Sequence, residues 1–259
     1  MVAIPVPTPV DSTRVVGRGM LAKAFEQIDD ELAGTLVFAG GVSDSGCRDE
    51  SAYSRERALL ESALERCHLE GLTLVYFSSA GAVYGDYPYA RHENTPVSPG
   101  NLYGIRKLEF ERLIRASGAN HLILRLPNVA GLDGNPANLV PALVGQVTRG
   151  RVTVHRSATR DIIAVEDAVE IVRRLLHAAP HHEVVVVATR ISTPVRQIVH
   201  RICRILSVSP VVDMVERDSV QIFDTAKLES LIVAPQFDAD YPFKVLDRYV
   251  PALAGHRAC

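Results

Sequence analysis

Thr13-Arg14-Val15-Val16-Gly17-Arg18-Gly19-Met20-Leu21-Ala22 is the stretch on which the fold reading turns. Thr13 to Val16 reads as a short strand, and Met20 to Leu32 keeps a helical period, so the glycines fall on a strand-to-helix turn. In this Gly-x-Gly-x-x-Ala pattern Gly17 permits the tight turn and Gly19 lets an anion approach the backbone. The small Ala22 lets the helix pack close to the strand. The first N–H groups of a helix have no intrahelical acceptor, so the turn that presents Met20 and Leu21 suits a pyrophosphate. Arg18 adds a guanidinium that matches a further phosphate, such as one on a ribose 2′-hydroxyl.

Working outward, apolar runs alternate with helix-period stretches. Strands are expected at Thr35 to Ala39, Leu72 to Phe77, His121 to Arg125, near Ile162, and at Glu183 to Ala188. Helices are expected at Glu50 to Cys67, around Tyr103, at Leu139 to Thr148, Asp167 to His177 and Val195 to Leu206. Continuous Val/Ile/Leu strands between helices predict an α/β fold, a Rossmann-like doubly wound parallel sheet covered on both faces. The loops at 80–100 and 127–138 follow strands and open at the carboxyl edge, where such sheets bind ligands.

A full dinucleotide fold places a second strand after the glycine loop, ending in an acid that holds a ribose. Here the next strand begins at Thr35, while Asp29 and Asp30 lie at a helix end. The sheet is therefore expected to lack its second and third strands, which leaves the adenosine side poorly covered. Residues 1–127 with 161–206 make the expected core, and 128–160 with 207–259 a smaller substrate lobe.

The chain has 259 residues, 47% hydrophobic and 22% charged, with a formal net charge of −2. That balance offers no footprint for nucleic acid and no apolar run long enough to span a membrane. Met1 to Ser12 lacks the basic start of a signal peptide, so a cytoplasmic protein is expected. Cys47, Cys67, Cys203 and Cys259 share no metal-type spacing, His181-His182 reads as a loop, and no metal is expected.

Tyr103 and Lys107 stand four apart, on one helix face. A phenol ionises near pH 10, and a neighbouring ammonium favours the phenolate, so the pair reads as a general acid/base.

With Val75-Tyr-Phe-Ser-Ser79-Ala80-Gly81-Ala82-Val-Tyr84-Gly85, Tyr103-x-x-x-Lys107, Arg125-Leu-Pro127-Asn128-Val-Ala-Gly131, Arg160-Asp161-Ile-Ile-Ala-Val165-Glu-Asp167 and Asp224-Thr-Ala-Lys227, the chain resembles the extended short-chain dehydrogenase/reductases. These are the NAD-dependent epimerase/dehydratase family acting on nucleotide sugars. The resemblance implies hydride transfer at a sugar carbon, with Tyr103 moving the hydroxyl proton and Lys107 holding the nicotinamide ribose. The family's third catalytic hydroxyl falls by count on Ala80, with Ser79 one step earlier, so Ser79 serves if the strand ends or bulges there.

Ala39, Gly40, Gly41 and Pro127 are expected against the cofactor, and Ser79, Ala80, Tyr84, Asn128 and Arg160 against the substrate; for Tyr84, core packing is the alternative. Asp167 is expected as a helix N-cap. Arg18 and the absent ribose acid point to NADP(H), with NAD(H) as the alternative. The favoured expectation is a ketoreductase for a nucleotide-linked deoxysugar. The alternatives are an epimerase using NAD or a non-catalytic nucleotide sensor. Gly81 and Ala82 replace the acidic pair of the dehydratases, and a homodimer through helices 50–67 and 101–116 is the default.

Overall fold

The computed structural model describes residues 13–216 and 219–255; the expectations for Met1 to Ser12 and for Cys259 lie outside them. The first half runs β1 (Val15–Val16), α1 (Met20–Glu26), a 3-10 turn (Asp29–Glu31), β2 (Thr35–Phe38), α2 (Glu50–Glu70), β3 (Thr73–Ser79), α3 (Ala80–Val83), α4 (Leu102–Ser117), β4 (His121–Leu126) and β5 (Asn128–Ala130). The second half runs α5 (Leu139–Thr148), β6 (Arg151–His155), β7 (Thr159–Arg160), β8 (Ile162–Ala164), α6 (Val165–Ala178), β9 (Glu183–Val186), β10 (Thr193–Pro194), α7 (Val195–Leu206), β11 (Val211–Val215), α8 (Ala226–Leu231) and α9 (Tyr241–Gly255).

Five parallel strands form the main sheet in the order β1-β2-β3-β4-β9. Successive strand side chains point to opposite faces. Val37, Val75, Leu122 and Leu124 therefore pack with Ala22 and Phe25 of α1 and Ile171 and Leu175 of α6. Leu36, Phe38, Leu74, Tyr76 and Ile123 pack on the other face with Tyr53, Leu60 and Leu64 of α2 and Phe110 and Ile114 of α4. Burial on both faces explains why these strands read as continuous apolar runs. The sheet stops at β1, whose one neighbour among the described residues is β2. The two strands that the sequence lacks are the ones that would lie beyond it.

Helix ends follow local chemistry. Asn101 caps α4 by accepting from the Gly104 N–H at 2.8 Å, and Asp49 caps α2 by accepting from the Ser51 N–H. Gly71 and Gly118 close those helices with φ of +66° and +75°. The first helix is shorter than its sequence suggests, because the chain must turn back to enter β2 at Thr35. Asp29 and Asp30 fall in the 3-10 turn that makes this return. Asp167 is not an N-cap: Ala164 holds that position, and Asp167 sits in the first turn accepting from the Tyr241 hydroxyl at 2.5 Å.

A second apolar cluster joins α5, α7 and α9 around β6 and β8, through Val144, Ile198, Ile202, Leu246 and Val250. Packing thus places α7 with the lobe, while Leu228 of α8 joins the cluster under the main sheet. No helix among the described residues is long and apolar enough to cross a membrane, and no group of three or more metal-ligating side chains occurs among them.

Candidate active site

A cleft of about 1040 Å³ opens at the carboxyl edge of the sheet, at the upper end of the usual range for small-molecule sites. Its walls are Arg18 to Leu21, the loop from Ala39 to Val42, the end of β3 with Ser78 and Ser79, Tyr103 and Lys107, Pro127 to Val129, and a far side reaching Gln146, His155 and Arg160.

The glycine loop divides its labour differently from a simple reading of the pattern. Gly17 has φ +139°, and a Cβ there would stand 2.5 Å from the Ala39 carbonyl oxygen. Its bareness is thus required by the protein's own backbone, which Ala39 N–H anchors to Val16 O at 2.7 Å. A Cβ on Gly19 would meet nothing within 4 Å. Gly19 is also the N-cap of α1 and provides no side-chain acceptor, so space and unpartnered donors coincide there. Arg18 is exposed at this end of the cleft.

Tyr103 and Lys107 sit one turn apart on α4, with the ammonium 5.7 Å from the phenol ring centre. Ser79 stands beside the phenol on the same cleft wall. Burial pushes the phenol pKa up most; Lys107 and Ser79 pull it down, while Glu56 and Asp44 push it up, and the net shift is upward. Lys107 thus acts on the phenol in the direction that the spacing predicts, and burial outweighs it. Lys107 keeps its proton: burial is the strongest influence and opposes the charge, but Glu56, Tyr103 and Glu111 together raise the pKa.

Ser79 is the last residue of β3 and the N-cap of α3, accepting from the Ala82 N–H at 3.3 Å. The strand ends at this residue, which frees its side chain to turn toward Tyr103. Ala80 is fully buried and lies outside the cleft wall. Tyr84 is likewise turned into the interior, so the expected substrate contact gives way to packing. Its hydroxyl donates to His92 O and accepts from Arg125, each at 2.8 Å, and burial pushes its pKa up to about 12. Arg125 itself is paired with buried Glu111 at 2.7 Å.

Asn128 and Arg160 do line the cleft, partly committed to the fold. The Asn128 amide donates to Asp161 O at 2.9 Å and to Gln221 Oε1 at 3.1 Å. The Arg160 guanidinium donates to Thr159 O and Ser219 O. Across the mouth, Asn135 donates to Ser43 Oγ at 3.2 Å and Lys23 pairs with Asp133 at 3.0 Å, joining the loop after β5 to the glycine-loop side.

Glu56 and Tyr76 belong to this site and were missed. Glu56 accepts from Lys107 at 2.9 Å and from the Val42 N–H at 2.8 Å. A signal was present: Tyr53, Leu60, Ala63, Leu64 and Cys67 form the buried stripe of α2, and Glu56 falls on that stripe. A carboxylate among apolar positions of one helix face demands a buried partner.

Residues 18–188 match the NAD dependent epimerase/dehydratase family. The chain belongs to this family. Over 138 residues this family member is 33% identical to a UDP-glucose 4-epimerase from Azospirillum brasilense. The match takes in 51% of this chain and 39% of that protein, so it spans about two-fifths of the relative's length.

Among solved structures, a double mutant of DesIV, a dTDP-glucose 4,6-dehydratase from Streptomyces venezuelae bound to NAD, has a TM-score of 0.76 at 18% identity, covering 87% of this chain and 74% of that one. A UDP-N-acetylglucosamine 4-epimerase from Methanobrevibacter ruminantium M1 has a TM-score of 0.73 at 16% identity, covering 88% and 80%. RMD from Pseudomonas aeruginosa, complexed with NADPH, has a TM-score of 0.71 at 19% identity, covering 96% and 89%. These likenesses establish the shared Rossmann-like fold.

Proposed function

We propose that this family member is a nucleotide-sugar epimerase, inverting a carbinol carbon of a nucleotide-linked hexose. The observation that carries the reading is the meeting of Tyr103, Ser79 and Lys107 on one cleft wall, with the ammonium 5.7 Å from the phenol ring centre. The bound nicotinamide would take a hydride from the carbinol carbon and return it to the opposite face. The cleft suits the nicotinamide and diphosphate parts of such a cofactor. Open space lies over Gly19, Arg18 borders it, and Ser79, Tyr103 and Pro127 stand at the far end. On the adenosine side no described strand lies beyond β1.

In this reading Tyr103 accepts the carbinol proton and later returns it, and Ser79 orients the reacting oxygen against the phenol. Lys107 supplies the positive charge that a phenolate needs during the oxidative half. Asn128 and Arg160 would hold the nucleotide sugar, and the faces of α2 and α4 that expose Leu59 and Ile105 would pair two copies. Dehydration is disfavoured, because Gly81 and Ala82 stand where the dehydratases carry an acidic pair.

A second reading rests on the raised pKa of Tyr103. A phenol that keeps its proton suits a donor, as in reduction of a keto sugar by NADPH with Arg18 on the 2′-phosphate. The sequence alone puts this reduction first; the 33% identity to a 4-epimerase supports inversion instead. The test incubates the protein with UDP- and dTDP-hexoses and NAD, following the epimer by chromatography. In parallel, NADPH consumption is followed with a 4-keto-6-deoxy sugar nucleotide. Epimer formed without net coenzyme consumption is expected. Stoichiometric NADPH loss would replace the first reading by the second, and binding without either change would leave a sensor.

A further inference from the structure

Lys107 does not stand alone beneath the cleft. Its ammonium donates to Glu56 Oε1 at 2.9 Å and to the Tyr76 hydroxyl at 3.3 Å. The Tyr76 hydroxyl also donates to Glu56 Oε1, at 3.2 Å. The second carboxylate oxygen, Oε2, accepts from the Val42 N–H at 2.8 Å. Both charged side chains are nearly inaccessible, 4% exposed for Lys107 and 1% for Glu56. The backbone of Gly41 lies directly on the pair: a Cβ there would come within 2.5 Å of Glu56 Oε1 and 2.7 Å of Lys107 Nζ. Glu56 therefore touches the lysine of the acid/base pair and the loop that walls the cleft at the same time.

We propose that Glu56 is the positioning residue of this site, one buried carboxylate that fixes the Lys107 ammonium with one oxygen and the Ala39–Val42 loop with the other. It also sets the charge of the cluster. With Glu56 ionised, Lys107 protonated and Tyr103 neutral, the buried group carries no net charge. Removing a proton then leaves one net negative charge in a poorly solvated place, which burial opposes.

Glu56→Gln keeps the shape and reverses this balance. The cluster then starts one charge positive, and proton loss brings it to neutrality. Whether Tyr103 or Lys107 gives up the proton, the first loss moves to lower pH. The other groups facing the cluster are Tyr76 on β3, Tyr53 on α2, Glu111 on α4, and Asp44 and Cys47 on the loop between β2 and α2; the Glu56 charge also raises Tyr76 and Tyr53, so loss of that charge moves them in the same downward direction. This inference rests on Tyr103 and Lys107 being the proton-handling pair, although not on any particular sugar.

The experiment is a potentiometric titration of folded wild type and Glu56→Gln, with tyrosinate absorbance reporting the share borne by Tyr103 against a Tyr103→Phe background. Proton loss is expected about one to two pH units lower in the glutamine variant, and Glu56→Asp, which keeps the charge, is expected to titrate with wild type. Coincident curves for wild type and glutamine variant would overturn the charge role. Hydrogen exchange supplies a second readout that also serves if the glutamine variant does not fold. Shortening the reach by one methylene in Glu56→Asp should speed exchange of the Val42 amide by about tenfold or more, and unchanged exchange would overturn the clamp. If these shifts appear while no nicotinamide coenzyme protects the wild type from heat, the proposed function fails and the positioning role stands.

Discussion

Asp161→Asn tests a buried carboxylate whose two oxygens are treated unequally. Asp161 is fully buried between β7 and β8; Oδ1 accepts from the Thr189 N–H at 3.1 Å and from its hydroxyl at 3.0 Å, while Oδ2 has no partner. Burial pushes its pKa up from 3.8 to about 6, against the lowering effect of the hydrogen bonds from Thr189.

The folded-state pKa is thus raised, so between these two values the native protein holds a proton that the unfolded chain has lost. The associated stability is complete below pH 3.8 and is lost as pH rises through about 6. The gap of roughly two pH units corresponds to ~3 kcal/mol. The substituted amide keeps an acceptor for Thr189 and has no proton to lose, so subtracting the variant's pH dependence isolates this one group. Urea unfolding of both proteins at a series of pH values across the window measures the difference. Wild type should lose ground to the asparagine variant steadily through the window and level off above it. A difference that stays constant, or that moves in favour of wild type as pH rises, refutes the burial argument.

Tyr103→Phe should lower kcat by about a hundredfold or more while coenzyme affinity, read by heat protection, changes little; an undiminished rate would remove the acid/base role. Ser79→Ala should cost turnover on the order of tenfold, whereas Ala80→Ser should not raise it, because position 80 is fully buried; steady-state kinetics of both variants separates the two positions. Arg18→Ala should weaken NADPH by about tenfold or more, the scale of one charge-assisted hydrogen bond, and leave NADH nearly unchanged; equal losses in a binding titration would rule out a 2′-phosphate contact.

Much of the architecture was legible because the main strands are buried on both faces. Runs such as Leu122-Ile123-Leu124 and Leu36-Val37-Phe38 have no other economical use in a chain of this size. The truncation after the glycine loop was equally visible, since the interval from Ala22 to Thr35 holds one helix and its return turn and nothing more. That Tyr103 and Lys107 are neighbours was readable from their i, i+4 spacing.

The parts that escaped depend on where a strand stops and on which charged residue points inward. Counting from Tyr84 selects Ala80, but β3 ends at Ser79, and the end of a strand breaks the alternation on which the count relies. Tyr84 looked like a cleft residue because its acceptor, the His92 carbonyl, and its donor, Arg125, come from other parts of the chain. Glu56 lies on a helix that also carries Arg55, Arg57 and Glu61, so charge alone does not single it out in the sequence. Burial separates it from those neighbours, and its partner Lys107 lies 51 residues away.

The two-residue length of β1 bears on how firmly the glycine-loop end of the cleft is built. Among the described strands Val15 and Val16 pair with β2 alone; just before them Arg14 O accepts from the Val37 N–H, the Arg14 guanidinium donates to Leu32 O, and Arg66 donates to Thr13 O. By contrast β3, which delivers Ser79, is laced into strands on both sides. Local opening follows the weakest lacing. The glycine-loop side, a hinged jaw set against a rigid anvil, is therefore expected to open before the strand that carries Ser79.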